Sequence, residues 1–229
     1  MIGKLFRRRG KLEPVARQYL DQSRYKFNSK APLAQLPVVV LDAETTGFDL
    51  ARDRILSVAT VEVKEREILI ASSQEWIVYQ PEAAANAAVS VHGILPSETA
   101  AGTPEKEVLG ELLPLLGTHL VVGHHIAFDL GMLDRAAHKH FNVRLRHRAI
   151  DTALLAMQEL EAFRRSGYPN QKPPTLDEVC SNLDLPVHAR HTASGDAYTT
   201  AEVFILLCAR IRHRLGRPVQ LRDLGSARL

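Results

Sequence analysis

The sequence predicts a mixed α/β domain, and three observations carry that prediction. Val38 to Leu41 is a short, continuous aliphatic and β-branched run, the pattern of a strand buried on both faces. Extended character continues in Ile55 to Val63 and in Ile68 to Tyr79. Helical spacing then dominates, with a brief return to an apolar strand at Leu120 to Val122.

Residues 1–35 read as a basic arm, Arg7-Arg8-Arg9, and a weakly amphipathic helix with Leu12, Val15, Tyr19 and Leu20 near one face. Pro32 and Pro37 separate this segment from the first strand, which runs into Asp42-Ala43-Glu44-Thr45-Thr46-Gly47. The second strand alternates, with Ala59, Val61 and Val63 on one side and Thr60, Glu62 and Lys64 on the other; with the third it forms a meander. Thr103-Pro104 predicts a capped helix start with proline at its first position, and Leu109, Leu112, Leu113 and Leu116 supply the apolar face. The strand Leu120 to Val122 ends in Gly123-His124-His125, and Ala127 to Phe141 follows as a helix. Arg148 to Ile150 predicts a last strand, because Asp151-Thr152 has the form of a cap for a helix over Ala153 to Phe163. After a loop, Gly167 to Pro174, come a short helix, Thr175 to Leu183, and a long one, Asp196 to Leu215. In the long helix Ala197, Ala201, Phe204, Cys208, Ile211 and Leu215 are spaced for burial.

The 229 residues, 45% hydrophobic and 24% charged, suit one compact domain with an appendage rather than a disordered chain. The longest apolar run, Val203 to Ala209, is far short of the roughly 18 residues of a transmembrane helix. Met1 to Gly10 has basic residues but no apolar stretch of a signal peptide, so a cytoplasmic location is expected. Cys180 and Cys208 fall in apolar helical patterns without metal-ligand spacing and read as reduced core residues. The formal charge of +3 divides unevenly: residues 1–30 carry +7, residues 31–209 carry −9 and residues 210–229 carry +5. An acidic body between two basic ends is compatible with a nucleic-acid partner without establishing one.

Asp42 and Glu44, two residues apart on a strand, project from one face of it. Adjacent acids repel, and such oxygen-rich clusters suit Mg²⁺ or Mn²⁺. Taken alone the pair is equally a solvated strand end. Asp129 lies early in the helix after the Leu120 strand, and Asp196 opens the last long helix. A central sheet gathers such strand-end and helix-start positions, although an acid in a first helical turn is also stabilised by the macrodipole with no catalytic purpose.

Together, Asp42-Ala43-Glu44-Thr45-Thr46-Gly47, the segment ending in Phe128-Asp129, and His191 followed by Gly195-Asp196 resemble the three motifs of the DEDDh exonuclease family. Ser90-Val91-His92-Gly93-Ile94 resembles that family's substrate-contacting segment. The resemblance covers about residues 36–215 and implies a ribonuclease H-like fold, a mixed central sheet flanked by helices, with residues 1–35 as a basic N-terminal arm and helix and 216–229 as a basic C-terminal tail. It implies that Asp42, Glu44, Asp129 and Asp196 hold two Mg²⁺ or Mn²⁺ ions, with His191 as general base. Two cations about 4 Å apart activate a water on one side of a scissile phosphate and stabilise the leaving 3′ oxygen on the other. Thr45, Thr46 and Gly47 resemble the turn that approaches the terminal nucleotide, while His92 and Ile94 would lie against its base or sugar. Phe128 is a stacking residue or a core residue.

One departure is visible. His125 stands where family members frequently have Asn, and it replaces one amide hydrogen bond but not both. Asp151 reads as a cap, Asp134 and Asp177 as solvated, and His119, His138, His140, His147 and His213 as surface or packing residues. The chain contains no G-x₄-G-K loop, C-x₂-C pair or G-x-S-x-G elbow. The expected activity is 3′–5′ hydrolysis of single-stranded ends, DNA ahead of RNA, releasing 5′-mononucleotides. An RNA-trimming enzyme and a replication or repair subunit that mainly binds partners are the alternatives. Gln220-Leu221-Arg222-Asp223-Leu224 lacks the aromatic anchors of a sliding-clamp motif.

Overall fold

In a computed structural model, residues 12–81, 92–146, 148–164, 171–225 and 227–228 are described, without the side chains of 148, 227 and 228. The Arg7-Arg8-Arg9 arm, Ser90-Val91, His147 and part of the 167–174 loop lie outside the described residues.

The sheet has six strands: β1 (Val38–Thr45), β2 (Ile55–Lys64), β3 (Glu67–Ile77), β4 (Leu120–Gly123), β5 (Arg148–Asp151) and the short β6 (Ala227–Arg228). Their spatial order is β3-β2-β1-β4-β5-β6. The first three form the expected antiparallel meander; β4 and β5 add in parallel to β1, and β6 closes the edge antiparallel. The helices are α1 (Pro14–Gln22), α2 (Pro96–Ala100), α3 (Glu105–Thr118), α4 (Ala127–Phe141), α5 (Thr152–Glu159), α6 (Leu176–Asn182) and α7 (Ala193–Leu215).

Alternation along β1 sorts its side chains into two cores. Val39 and Leu41 join Val58, Val121 and the apolar faces of α1, α3 and α4. Val38 and Val40 join Val61, Val63, Leu120 and Val122 under α5, α6 and α7. By the same alternation Asp42 and Glu44 face the α7 side. The N-terminal helix is part of the first core: Ala16 and Tyr19 are buried, and the Tyr19 hydroxyl accepts from the Arg146 N–H at 2.9 Å.

Several element boundaries differ from expectation. Asp42 to Thr45 stays in β1, because β2 runs antiparallel beside it to Ile55 and supplies backbone partners. Being flanked by β1 and β3, β2 is buried continuously from Ile55 to Val61, so the alternating solvent face appears only at its end. Pro104 is the cap residue of α3, and Thr103 instead bridges to Val78. The helix over 153–163 stops at Glu159 and resumes as a 3₁₀ turn, Glu161–Phe163. α7 begins at Ala193, three residues early, because the Thr192 hydroxyl caps the Gly195 N–H.

Candidate active site

Three elements meet at the carboxyl end of β1. Asp42 and Glu44 come from β1, Asp129 from the first turn of α4 and Asp196 from the first turn of α7. Small residues permit the approach. Ala59, directly across from Asp42 in the β1–β2 register, packs on Ala193 and Ala197, so the start of α7 lies close against the sheet. Gly195 allows a second close passage: a Cβ there would stand 2.3 Å from the Ala189 carbonyl oxygen. Residues 188–191 therefore lie directly on the helix turn that carries Asp196. A bulge in the β1–β2 register between Glu44 and Thr45 marks where the strand leaves the ladder.

One carboxylate oxygen each from Asp42, Glu44 and Asp196 lie within 4.8 Å of one another. Burial, and then the charges of Asp129, Asp196 and Glu44, push Asp42 well above the ordinary carboxylate range. Asp129 moves the same way, by burial first and then by Glu44 and Asp151. Glu44 is raised to about 7 by burial and by Asp196, against the pull of Arg190. Burial also raises Asp196, opposed by Arg190 and His191. Each acid thus resists ionising, by burial first and then by the charges of its neighbours, and Arg190 offsets part of this at Asp42, Glu44 and Asp196. The Oδ1 atom of Asp196 and the hydroxyl of Ser57, cross-strand from Glu44, are buried without a hydrogen-bond partner among the described residues. Three carboxylates at this spacing, one of them with an orphaned oxygen, are hard donors that fit divalent Mg²⁺ or Mn²⁺.

Arg190 has no distinguishing signal in the sequence, yet its charge acts on Asp42, Glu44 and Asp196. Its guanidinium pairs with Asp196 Oδ2 through Nη1 and with Asp177 Oδ1 through Nε at 2.6 Å. Nη1 also lies 3.4 Å from His191 Nδ1. Arginine only donates, so in this contact Nδ1 accepts and the neutral imidazole carries its proton on Nε2. His191 itself has φ +64°, a left-handed conformation that turns the chain into the α7 cap at Thr192. Asp177 is exposed as expected and also pairs with Arg190, whereas Asp134, expected to be solvated, is partly buried and accepts from Arg144 and the Leu145 N–H.

The turn after β1 is built around Asp53. Its carboxylate accepts from the Thr46 hydroxyl and the Asp49 N–H, both at 2.7 Å, and a Cβ on Gly47 would stand 2.6 Å from it. The Thr45 hydroxyl donates to the Gly47 carbonyl. Arg135 of α4 holds the turn from below by donating to the Leu50 and Asp53 carbonyls. This clamp presents Phe48, 91% exposed, with its ring centroid 5.8 Å from that of the half-buried Phe128. Phe48 is a second residue missed in the sequence; an aromatic directly after Thr-Thr-Gly was its only signal.

His125 is exposed with φ +54°, and its N–H donates to Asp151 Oδ1, which also caps α5 through the Ala153 N–H. His124 is buried beneath it. Its Nε2–H donates to the Pro174 carbonyl, which leaves Nδ1 to accept from the Thr152 hydroxyl. His92 is buried, its Nδ1 accepting from the Ile94 N–H at 3.0 Å. Among the described residues no hydrogen bond or ion pair links His92 or Ile94 to the carboxylates.

Comparison with known proteins agrees with this architecture. The family model RNase_T, described as exonuclease, matches residues 39–204. The DNA polymerase III subunit epsilon of Aquifex aeolicus is 26% identical over 178 residues, 78% of this chain and 83% of that protein. The PolC-type DNA polymerase III of Halalkalibacterium halodurans is 31% identical over 75% of this chain, which there spans only 11% of the relative. Among solved structures, E. coli exonuclease I in complex with a dT13 oligonucleotide superposes with a TM-score of 0.61 at 19% identity, over 80% of this chain and 43% of that one. That likeness shows the ribonuclease H-like fold. With the family model covering β1 to β5 but for Val38, the acids and the start of α7 together, the chain belongs to the exonuclease family, in its DEDDh branch.

Proposed function

We propose that this exonuclease domain removes nucleotides from single-stranded 3′ ends, DNA ahead of RNA, and releases 5′-mononucleotides. The observation that supports this most is the gathering of Asp42, Glu44 and Asp196 from β1 and α7, with an orphaned Asp196 oxygen, Asp129 of α4 near enough for its charge to act on Asp42, and His191 acting on Asp196. Asp42, Glu44, Asp129 and Asp196 would hold two Mg²⁺ or Mn²⁺ ions. Bound there, such ions supply an activated water and charge stabilisation for the leaving 3′ oxygen.

The chain's own residues do the rest. His191 takes the water's proton at Nδ1, the nitrogen that carries none in this arrangement. The Thr45-Thr46-Gly47 turn, held by Asp53 and Arg135, brings backbone to the terminal nucleotide. Phe48 and Phe128 offer ring faces to the last base, which a duplex would keep stacked and paired. His92 and Ile94 would lie against the base or sugar of that terminal nucleotide. His125, exposed over Asp151, supplies one donor where an amide would supply two contacts.

We take 36–215 as the segment that carries the exonuclease motifs; α1 packs into its first core and β6 on its sheet edge, and the basic residues of 1–35 and 216–229 would be positive flanks for the strand. Relatives that are DNA polymerase III subunits favour DNA and replication or repair partners. No helix among the described residues is long and apolar enough to cross a membrane, and both cysteines are buried free thiols, in keeping with a reducing cytoplasm.

The test is degradation of 3′-labelled and 5′-labelled DNA and RNA oligonucleotides with Mg²⁺, Mn²⁺ or EDTA, comparing wild type with Asp42→Ala and His191→Ala. The expected result is metal-dependent release of the 3′ label from DNA, lost in both variants. Activity that survives EDTA and both substitutions refutes the mechanism, and shortening from the 5′ end refutes the polarity.

A further inference from the structure

One guanidinium engages two groups that the proposed chemistry needs. Arg190 pairs with Asp196, whose side chain is 6% exposed, and its Nη1 lies 3.4 Å from Nδ1 of His191. Its own side chain is 27% exposed and is anchored on the far side by Asp177, in the first turn of α6. Its charge also acts on Asp42 and Glu44.

Two features make this a built arrangement. The missing side chain of Gly195 lets the 188–190 backbone lie on α7, which delivers Arg190 to Asp196 rather than to solvent. Asp177 is fixed on a helix with a complete capping box, Thr175 with Glu178. Nε faces Asp177 while Nη1 faces Asp196, so the planar fork spans two carboxylates, which the point charge of a lysine does not reproduce.

We infer that Arg190 is an internal counter-cation that competes with the metal for Asp196, so that metal entry shifts it onto Asp177 alone and frees Nδ1 of His191 in the same movement. Without metal, the guanidinium offsets part of the repulsion among the acids and occupies the base. A divalent ion on the unpartnered Oδ1 of Asp196 would repel the guanidinium held on Oδ2 of the same carboxylate, so the Nη1 contact gives way while the Nε contact with Asp177 remains as the pivot. Arg190 is therefore a positioning residue that couples metal occupancy to availability of the base. The inference rests on the reading of the carboxylates as metal ligands.

The experiment is calorimetric titration of Mn²⁺ into chelator-stripped wild type, Arg190→Gln, Arg190→Lys and Arg212→Gln, with thermal melting of each in EDTA. Arg212, in the last turn of α7, controls for loss of one positive charge at the far end of the same helix. A charge-assisted hydrogen bond released from competition is expected to tighten Mn²⁺ binding by about tenfold to a hundredfold in Arg190→Gln. The lysine variant should fall between this and wild type, and Arg212→Gln should stay near wild type. Melting of Arg190→Gln in EDTA should come earlier, and its rise on adding Mn²⁺ should be larger.

Wild-type or weaker Mn²⁺ affinity in Arg190→Gln overturns the inference, as does an equal gain in Arg212→Gln. Wild type that binds no Mn²⁺ refutes the metal reading itself, whereas normal wild-type binding without a gain in Arg190→Gln refutes only the role of Arg190. If Arg190→Gln does not fold, the Nε–H resonance of Arg190 in ¹⁵N-labelled wild type, assigned through Arg190→Lys, decides: it should move on adding Mg²⁺, and a stationary signal overturns the inference.

Discussion

Replacing Asp42 by Asn is expected to stabilise the metal-free protein while abolishing its activity. Carboxylate oxygens of Asp42, Glu44 and Asp196 lie within 4.8 Å of one another. At an effective dielectric of about 20, each charged pair at that spacing repels by about 3.5 kcal/mol. The cost has a ceiling, because an ordinary aspartate takes up a proton at neutral pH for about 4 kcal/mol. Asp42 faces all three other acids, and the Arg190 guanidinium offsets only part of this. Asparagine keeps the volume and removes the charge. Allowing about half of the ceiling for imperfect amide hydrogen bonds leaves a gain of about 2 kcal/mol, a rise in Tm of about 4–8 °C for a chain of this length. Differential scanning calorimetry in EDTA measures it. With Mn²⁺ at a hundred times its Kd, wild type gains about 2.7 kcal/mol, and a variant that has lost a ligand gains far less. The two Tm values should therefore exchange order between EDTA and metal. A variant that melts below wild type in EDTA refutes the reasoning, because packing rather than repulsion would then dominate at Asp42.

Three further outcomes are expected. Phe48→Ala, at a 91% exposed position, should leave the urea midpoint within about 0.5 kcal/mol of wild type while weakening single-strand binding by about tenfold or more, read by fluorescence anisotropy; unchanged affinity removes the ring from the substrate path. Ala59→Leu places three extra carbons between β2 and α7 beside Ala193 and Ala197, which should cost about 1–3 kcal/mol and reduce Mn²⁺ affinity by moving Asp196 from Asp42; a destabilised variant with intact Mn²⁺ binding contradicts the spacing argument. Burial, then the charge of His125, lowers His124 from 6.5 to about 3. The unfolded chain therefore binds a proton that the folded one refuses, so the stability from His124 is complete above about pH 6.5 and falls by about 1.4 kcal/mol per unit below it. Urea unfolding from pH 7.5 to 4.5 should show this slope reduced by one proton in His124→Gln; an identical slope refutes the assignment.

The strands and most helices are legible because their signals are local. A β-branched run such as Val38–Leu41, the cap Asp151 with the helix behind it, and the Thr175–Glu178 capping box each act within a few residues. Boundaries shift where a partner distant in sequence intervenes. β1 continues through Asp42 and Glu44 because β2 is there to bond it, and β2 loses its polar face because β3 covers it. The ion pairs of Asp134 and Asp177 are hidden in sequence because their arginines, Arg144 and Arg190, stand 10 and 13 residues away.

Asp42, Glu44, Asp129, His191 and Asp196 were readable from residue order alone, since each acid sits in a short motif whose spacing survives without coordinates. Their convergence depends on packing: Ala59 against Ala193 and Ala197, and Gly195 against the Ala189 carbonyl, set how near α7 comes to the sheet. The same packing turns Arg190 inward between Asp177 and Asp196 and leaves Phe48 outward beside Phe128. Which acids are candidates for the chemistry is a matter of residue type, written in the chain. Which cation opposes them, and which ring stands exposed beside them, follows from long-range burial, where a displaced backbone of a few ångströms decides whether a charge finds a carboxylate or water.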